Sequence, residues 1–580
     1  MTTVAPTERP QVTGDDKDLG AATAGAAGPI PVAVHLRPHR REGLAERFEE
    51  TDPPRGWDLA RHPRVARLLA SRRLQFFLII PNQLIFWLVI FLGFLGTIVP
   101  GLNFGTAITW YIWFCLVFVM MVVVGRAWCA MCPFGGFAEW IQRKTFWKRT
   151  QSALGLGRKL PEPLARWGLL LSVGSFILLT WIEEFFNIAG PGNPVDTSYM
   201  VLGIVASALI FFLVFERRTF CRYVCPLSAL IGTVGAMGSA AGFRTRDREI
   251  CLTCPTKDCM RGGAEGFGCP WYTWPGSADS NLTCGLCSEC YKACPSGNVG
   301  FFLQRPLTSV VAPKRRRADV AWAVALLWGL VLFQQINSTN GYTVIDNWLN
   351  KLTGVPQYPN PIDYLGIIGI LALAFAGIAW VMSRGLGSKE QPAVAGAGGT
   401  GGGSGAGTTG SFARAGATGG TTGSSSGSGS TGGGLLTAAA KATAGSFVDA
   451  KSRFRSFFVP LAYGIIPVVG ADYFARQLPK FFKHASRIIP SVGAWFGIGG
   501  GTHSHLYALR ILSNPDIVLV QVAVIALGTL GSLWATWRIA GRDLVPVSNH
   551  AAGVRIASLG VVLACGIAAG FLYVIMHAAS

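Results

Sequence analysis

Cys284-Gly-Leu-Cys287-Ser-Glu-Cys290-Tyr-Lys-Ala-Cys294-Pro295 reads C-x2-C-x2-C-x3-C-P. Three closely spaced thiolates can wrap one iron–sulfur cube from a tight loop, while the fourth, before a proline, reaches away. A zinc site needs only four ligands and usually shows two separated pairs, so this run favours a [4Fe-4S] cluster. A second set lies upstream: Cys251-x2-Cys254-x4-Cys259, then Cys269-Pro270. In two-cluster ferredoxins the proline-flanked cysteine ligates the other cluster. The expectation is therefore crossed ligation. Cys251, Cys254, Cys259 and Cys294 hold one cluster, and Cys269, Cys284, Cys287 and Cys290 hold the other. No C-x-x-C-H occurs, so covalent c-type haem has no support.

Outward from this run the chain is apolar. Of 580 residues, 50% are hydrophobic and only 14% charged, against roughly 25% charged in ordinary soluble domains. With a mean hydropathy of +0.40, this excludes a soluble globular enzyme. Apolar runs at Phe76–Val99, Ala107–Val124, Trp167–Ile182, Tyr199–Phe215, Val320–Ile336, Tyr364–Met382, Ile517–Trp537 and Ile556–Met576 approach the length needed to span hydrocarbon. A ninth, Phe457–Val469, is short and holds Pro460 and Pro467. It reads as a span, an interfacial amphipathic helix or a re-entrant segment.

The net charge of +20 fits basic cytoplasmic loops and not nucleic-acid binding. Arg126, Arg143, Lys144, Arg158 and Lys159 follow the second run, and Lys314–Arg317 precede the fifth. This places the N-terminus and the cysteine-rich loop inside. Arg476, Lys480, Lys483, Arg487 and Arg510 disagree, because they fall outside if the Phe457 run spans.

Twelve of the fourteen cysteines lie between Cys129 and Cys294. The four not yet assigned form an internal repeat. Arg126-Ala-Trp-Cys129-Ala-Met-Cys132-Pro133 ends the second run, and Arg218-Thr-Phe-Cys221-Arg-Tyr-Val-Cys225-Pro226 ends the fourth. If the two hairpins pack side by side, these thiols converge at the membrane surface. They read as a further metal or cluster site, a dithiol/disulfide couple, thiols beside a quinone, or structural cysteines at helix ends. Glu183, Glu184, Gln334 and Gln335 sit at the far ends of the third and fifth runs. They are either proton acceptors for a quinol or solvated end groups.

The paired Cys-Pro motifs followed by the ferredoxin run resemble the membrane polyferredoxins of the NosR/NapH kind, over roughly residues 72–315. The stretch from Cys221 to Leu230 is especially similar to that family's second motif. The resemblance implies a bundle of four to six helices with a cytoplasmic two-cluster domain. It also implies movement of electrons from membrane quinol toward a partner reductase or carrier subunit, as a quinol dehydrogenase-type component. CcoG-type proteins, linked to oxidase copper maturation, share the layout, and they imply the alternative of a copper- or metal-handling maturation factor.

The expected fold is thus an all-α polytopic membrane protein of about eight to nine transmembrane helices, with a small cytoplasmic ferredoxin-like insertion. The expected location is a bacterial-type cytoplasmic membrane. The parts are a disordered cytoplasmic N-terminus (1–72), a two-hairpin core (73–240), the ferredoxin-like domain (241–313), further helices (314–384), a Gly/Ser-rich flexible linker (385–450) and a C-terminal membrane module (451–580).

Overall fold

The computed structural model describes residues 56–146, 154–189, 194–314, 316–354, 359–387, 452–498 and 501–579. The Gly/Ser-rich linker, the first 55 residues, Lys148 and Arg149 lie outside them. Among the described residues, eight helices are long and apolar enough to cross a membrane: Leu74–Leu95, Phe104–Val123, Gly168–Phe185, Pro194–Val214, Ala318–Ile336, Pro361–Gly385, Asn514–Val547 and Ala551–Ile575. They are called the first to eighth spans. Their outer faces carry bare apolar side chains such as Phe91, Leu373 and Leu519, as lipid requires.

The fifth span is the axis of the bundle. In its most apolar 18-residue window 78% is buried, whereas the other spans range from 22% to 44%. It carries Ala321, Ala323 and Ala325, all fully buried. Small side chains let neighbouring helices approach closely where lipid offers no hydrophobic drive.

The Phe457 run belongs to a bent pair, Ser452–Gly464 and Ile466–Trp495, with 42° between the halves. Residues 457–473 are buried without a break, which excludes an interfacial helix there. Pro467 lies at the start of the second half, and Ser532 Oγ takes the free Val468 N–H at 2.9 Å. Two of the charges that disagreed with the inside rule have carboxylate partners. Arg476 pairs with Glu184 and Lys480 with Glu183, both at 3.3 Å. Gln334 and Asn337 also donate to Glu184, at 3.0 and 2.8 Å. The two glutamates are therefore not simply solvated helix ends: a buried polar cluster replaces water around them.

The insertion is framed by a three-stranded antiparallel sheet in the order β1-β3-β2, where β1 is Trp57–Asp58, β2 Ala240–Thr245 and β3 Val299–Leu303. Residues 56–72, expected to be disordered, supply β1 and the helix Pro63–Ala70. Asp58 explains this. Its carboxylate accepts from Phe301 N at 3.1 Å and Ala60 N at 2.9 Å, and pairs with Arg246 at 2.7 Å. Asp58→Ala is expected to free the Phe301 amide at a cost of about 1–3 kcal/mol. Hydrogen exchange at Phe301 should then quicken by about tenfold or more, and unchanged exchange would show that β1 is held by something else.

Candidate functional site

Between β2 and β3 the backbone winds around two groups of thiols. Short helices Arg248–Thr253 and Asp258–Arg261 carry Cys251 and Cys259, and Glu289–Ala293 carries Cys290. Leu286 and Ser288, on either side of Cys287, both take positive φ (52° and 59°). That strained pair folds the C-x2-C-x2-C run into a loop tight enough to aim its thiols inward. Gly242 has φ +90°, and a Cβ there would stand 2.8 Å from Cys284 Sγ.

Electrostatic neighbours fall into two sets of thiols. Cys259 interacts electrostatically with Cys294, Cys251 and Cys254. Cys290 interacts with Cys269, Cys287 and Cys284, and also with Cys259 of the first group. The two quartets are therefore neighbours. Thr245 Oγ1 lies 3.0 Å from Cys251 Sγ, and Asn298 Nδ2 donates to the same sulfur at 3.4 Å.

A third quartet forms at the ends of the two hairpins. Cys221 and Cys225 each interact with Cys129 and Cys132. The two motifs differ by one residue in spacing, and the backbone absorbs the difference. Cys129 lies in an α-helical turn, Trp128–Met131, whereas Phe220–Val224 is a π-helical turn closed by Cys225 N to Phe220 O at 2.7 Å. A π turn accommodates one extra residue. Cys132 and Cys225 then cap the helices Pro133–Arg143 and Pro226–Gly235, each with proline at the first position. The free N–H groups of Phe134 and Gly135 point at Cys132, and that of Leu227 at Cys225. A helix N-terminus favours negative sulfur.

The two repeats exchange their arginines. Arg126 donates to Cys129 Sγ at 3.4 Å and to Ser228 Oγ of the second repeat. Arg218 donates to the Cys129 carbonyl of the first repeat at 3.3 Å. Both also touch the insertion. Arg126 donates to Leu282 O at 2.5 Å and stacks 4.3 Å over Trp271. Arg218 lies in the fields of both Cys221 and Cys287. Glu139 holds Arg218 at 2.5 Å and also pairs with Arg143, which sits 3.7 Å over the Phe267 ring. Burial opposes ionisation of Glu139, but Arg143 and Arg218 outweigh it and hold the carboxyl below its usual range.

Burial pushes Cys259 and Cys269 up to about 12, Cys287 to about 11, Cys132 to about 11 and Cys221 to about 12. Such thiols keep their protons at neutral pH unless a metal replaces them. Among the described residues, no three or more Cys, His, Asp or Glu side chains are placed to hold one metal ion. One zinc at about 2.3 Å from each sulfur would draw the sulfurs to within about 4 Å of one another. Among the described residues the thiols are not drawn together to that degree.

The 4Fe-4S binding domain family (Fer4_5) matches residues 106–152 and 197–243. These two stretches contain the Cys-Pro motifs and none of the eight insertion cysteines. The chain carries this iron–sulfur binding domain twice. Both copies match, so the C-x2-C-P and C-x3-C-P versions belong to one pattern. Over 171 residues it is 28% identical to "Methylamine utilization ferredoxin-type protein MauN" of Paracoccus denitrificans (strain Pd 1222), covering 26% of this chain and 55% of that protein. Over 196 residues it is 26% identical to "Putative electron transport protein YccM" of Escherichia coli (strain K12), covering 33% and 45% respectively. The chain thus spans about half the length of the curated relatives it matches. No solved structure matches.

Beside the Cys-Pro quartet lies an apolar cavity of about 320 Å³. Trp128, Met131, Pro133 and Phe134 line it near the cysteines, and Glu183, Gln334, Arg476 and Lys480 line it at the far end. The exposed Ile85 and Leu116 also border it, which opens it toward lipid. Sequence reasoning missed Glu139, Ser228 and the part played by Arg126 and Arg218. The repeated Arg-x-aromatic-Cys spacing was the available signal for the arginines. Nothing in the sequence marked Glu139.

Proposed function

We propose that this protein is a membrane electron carrier that accepts electrons from a quinol in the apolar cavity and passes them to a partner at the edge of the insertion. The observation that carries the reading is the cavity itself. Its walls are mostly apolar, and it runs from beside the Cys-Pro quartet to a cluster of acids and bases. A quinol needs all three: an apolar slot, a proton acceptor and a nearby one-electron acceptor.

Bound clusters would supply single-electron chemistry, one in each insertion quartet and a third on Cys129, Cys132, Cys221 and Cys225. The rest is done by the side chains. Oxidation of a quinol releases two electrons and two protons. Glu183, paired with Lys480, and Glu184, held by Arg476 and two amides, are the acceptors for the protons. Arg218, in the fields of both Cys221 and Cys287, would link the third quartet to the Cys287 group, and Cys290 with Cys259 would continue the path. Cys254 and Cys294, only partly buried, form the exit toward a reductase or carrier. The basic loops support an insertion on the cytoplasmic face.

The test is EPR of anaerobically purified protein after addition of a reduced quinol analogue. Cluster signals appearing on addition are expected. Clusters that dithionite reduces but quinol does not, with stoichiometric copper bound, would overturn the reading in favour of metal handling.

A further inference from the structure

A groove of about 1260 Å³ lies on the insertion side, and no cysteine lines it. Its walls come from β2, β3, the loop after β3 and the end of the seventh span. Arg244, Arg305, Lys314, Arg538 and Arg542 line it, with Asp279 as the one carboxylate among the described lining residues. Arg244 and Arg542 are tied to backbone carbonyls. Arg305 and Arg538 are different. Both are exposed, and neither has an ion-pair or hydrogen-bond partner for its guanidinium among the described residues. Arg538 only lies over Trp534, 5.9 Å from the ring centroid.

The groove has a second character. Leu307, Val311 and Ala312 give it an apolar wall, and Trp57 and Trp534 stand at its rim, 80% and 47% exposed. Along the seventh span Trp534 and Trp537 precede Arg538 and Arg542. Aromatic then basic residues mark where a helix leaves the hydrocarbon. The groove therefore sits at headgroup level, with its cations toward water and its apolar wall toward the acyl region.

We propose that this groove binds an anionic phospholipid. Its phosphate would be held between Arg305 and Arg538, and its acyl chains would lie along Leu307 and Val311. Basic pockets between membrane helices recognise anionic headgroups in this way. A phosphate ester is the shared chemistry of lipid and free phosphate, and the apolar wall selects the lipid. Bound there, the lipid ties the insertion to the C-terminal helices. The proposal stands independently of the quinol reading.

The test is native mass spectrometry of the full-length protein, delipidated in detergent, with added dioleoylphosphatidylglycerol, dioleoylphosphatidylcholine or inorganic phosphate. Phosphatidylglycerol is expected to be retained about tenfold better than phosphatidylcholine. The double variant Arg305→Glu/Arg538→Glu is expected to lose that preference while keeping the wild-type iron content. Should it fail to fold, Arg305→Gln alone is expected to weaken retention about threefold. Equal retention of the two lipids, unchanged phosphatidylglycerol retention in the folded variants, or displacement of the lipid by inorganic phosphate at equal concentration would overturn it.

Discussion

Glu139→Ala is expected to destabilise the junction between membrane and insertion by about 3–5 kcal/mol, because it leaves two buried guanidiniums without their shared counter-ion. Glu139 and Arg218 are each 2% exposed in their side chains, and Arg143 is 9% exposed. Water cannot replace the lost carboxylate. Arg218 also faces Cys221 and Cys287, so its displacement disturbs two thiol groups at once. The variant should purify with less iron and a lower thermal midpoint. Glu139→Gln, which keeps hydrogen-bond acceptance by one oxygen, should fall between. A Glu139→Ala protein with wild-type iron and wild-type midpoint would mean that the network is incidental.

The second large effect is on electron entry. Cys221→Ser should abolish quinol-dependent reduction of the insertion clusters, by about a hundredfold or more, while dithionite still reduces them. The reasoning is positional. The Cys-Pro quartet adjoins the cavity, through the neighbouring Met131 and Pro133, and the insertion, through Arg126 and the field of Arg218. Rapid-mix EPR with the quinol analogue measures the rate. An unchanged rate would place electron entry elsewhere.

The insertion was legible because its chemistry is local. The spacing of Cys284, Cys287, Cys290 and Cys294 is itself a ligand geometry, and the proline-flanked cysteines gave the expectation of crossed ligation. The spans were legible because hydrocarbon demands long apolar runs. The Phe457 run was ambiguous for a physical reason. Proline and glycine interrupt it, and Asp472, Arg476 and Lys480 lower its apolar character just where neighbouring helices supply partners. The one-residue mismatch between the Cys-Pro motifs could not be resolved by counting, because it is absorbed in a π turn. Glu139 was invisible because its role depends on Arg218, 79 residues further along the chain, and only packing brings the two together. Asp58 was hidden in the same way, in a polar stretch that reads as disorder until β3 is placed beside it.

The central claim is that Cys129, Cys132, Cys221 and Cys225 hold a third cluster between the cavity and the insertion. Iron and acid-labile sulfide counted on anaerobically purified protein, wild type beside Cys225→Ala, test it most directly. The account predicts about twelve irons in the wild type, four per cube, and about eight in the variant. About eight in both would contradict it and leave the paired Cys-Pro motifs without a cluster.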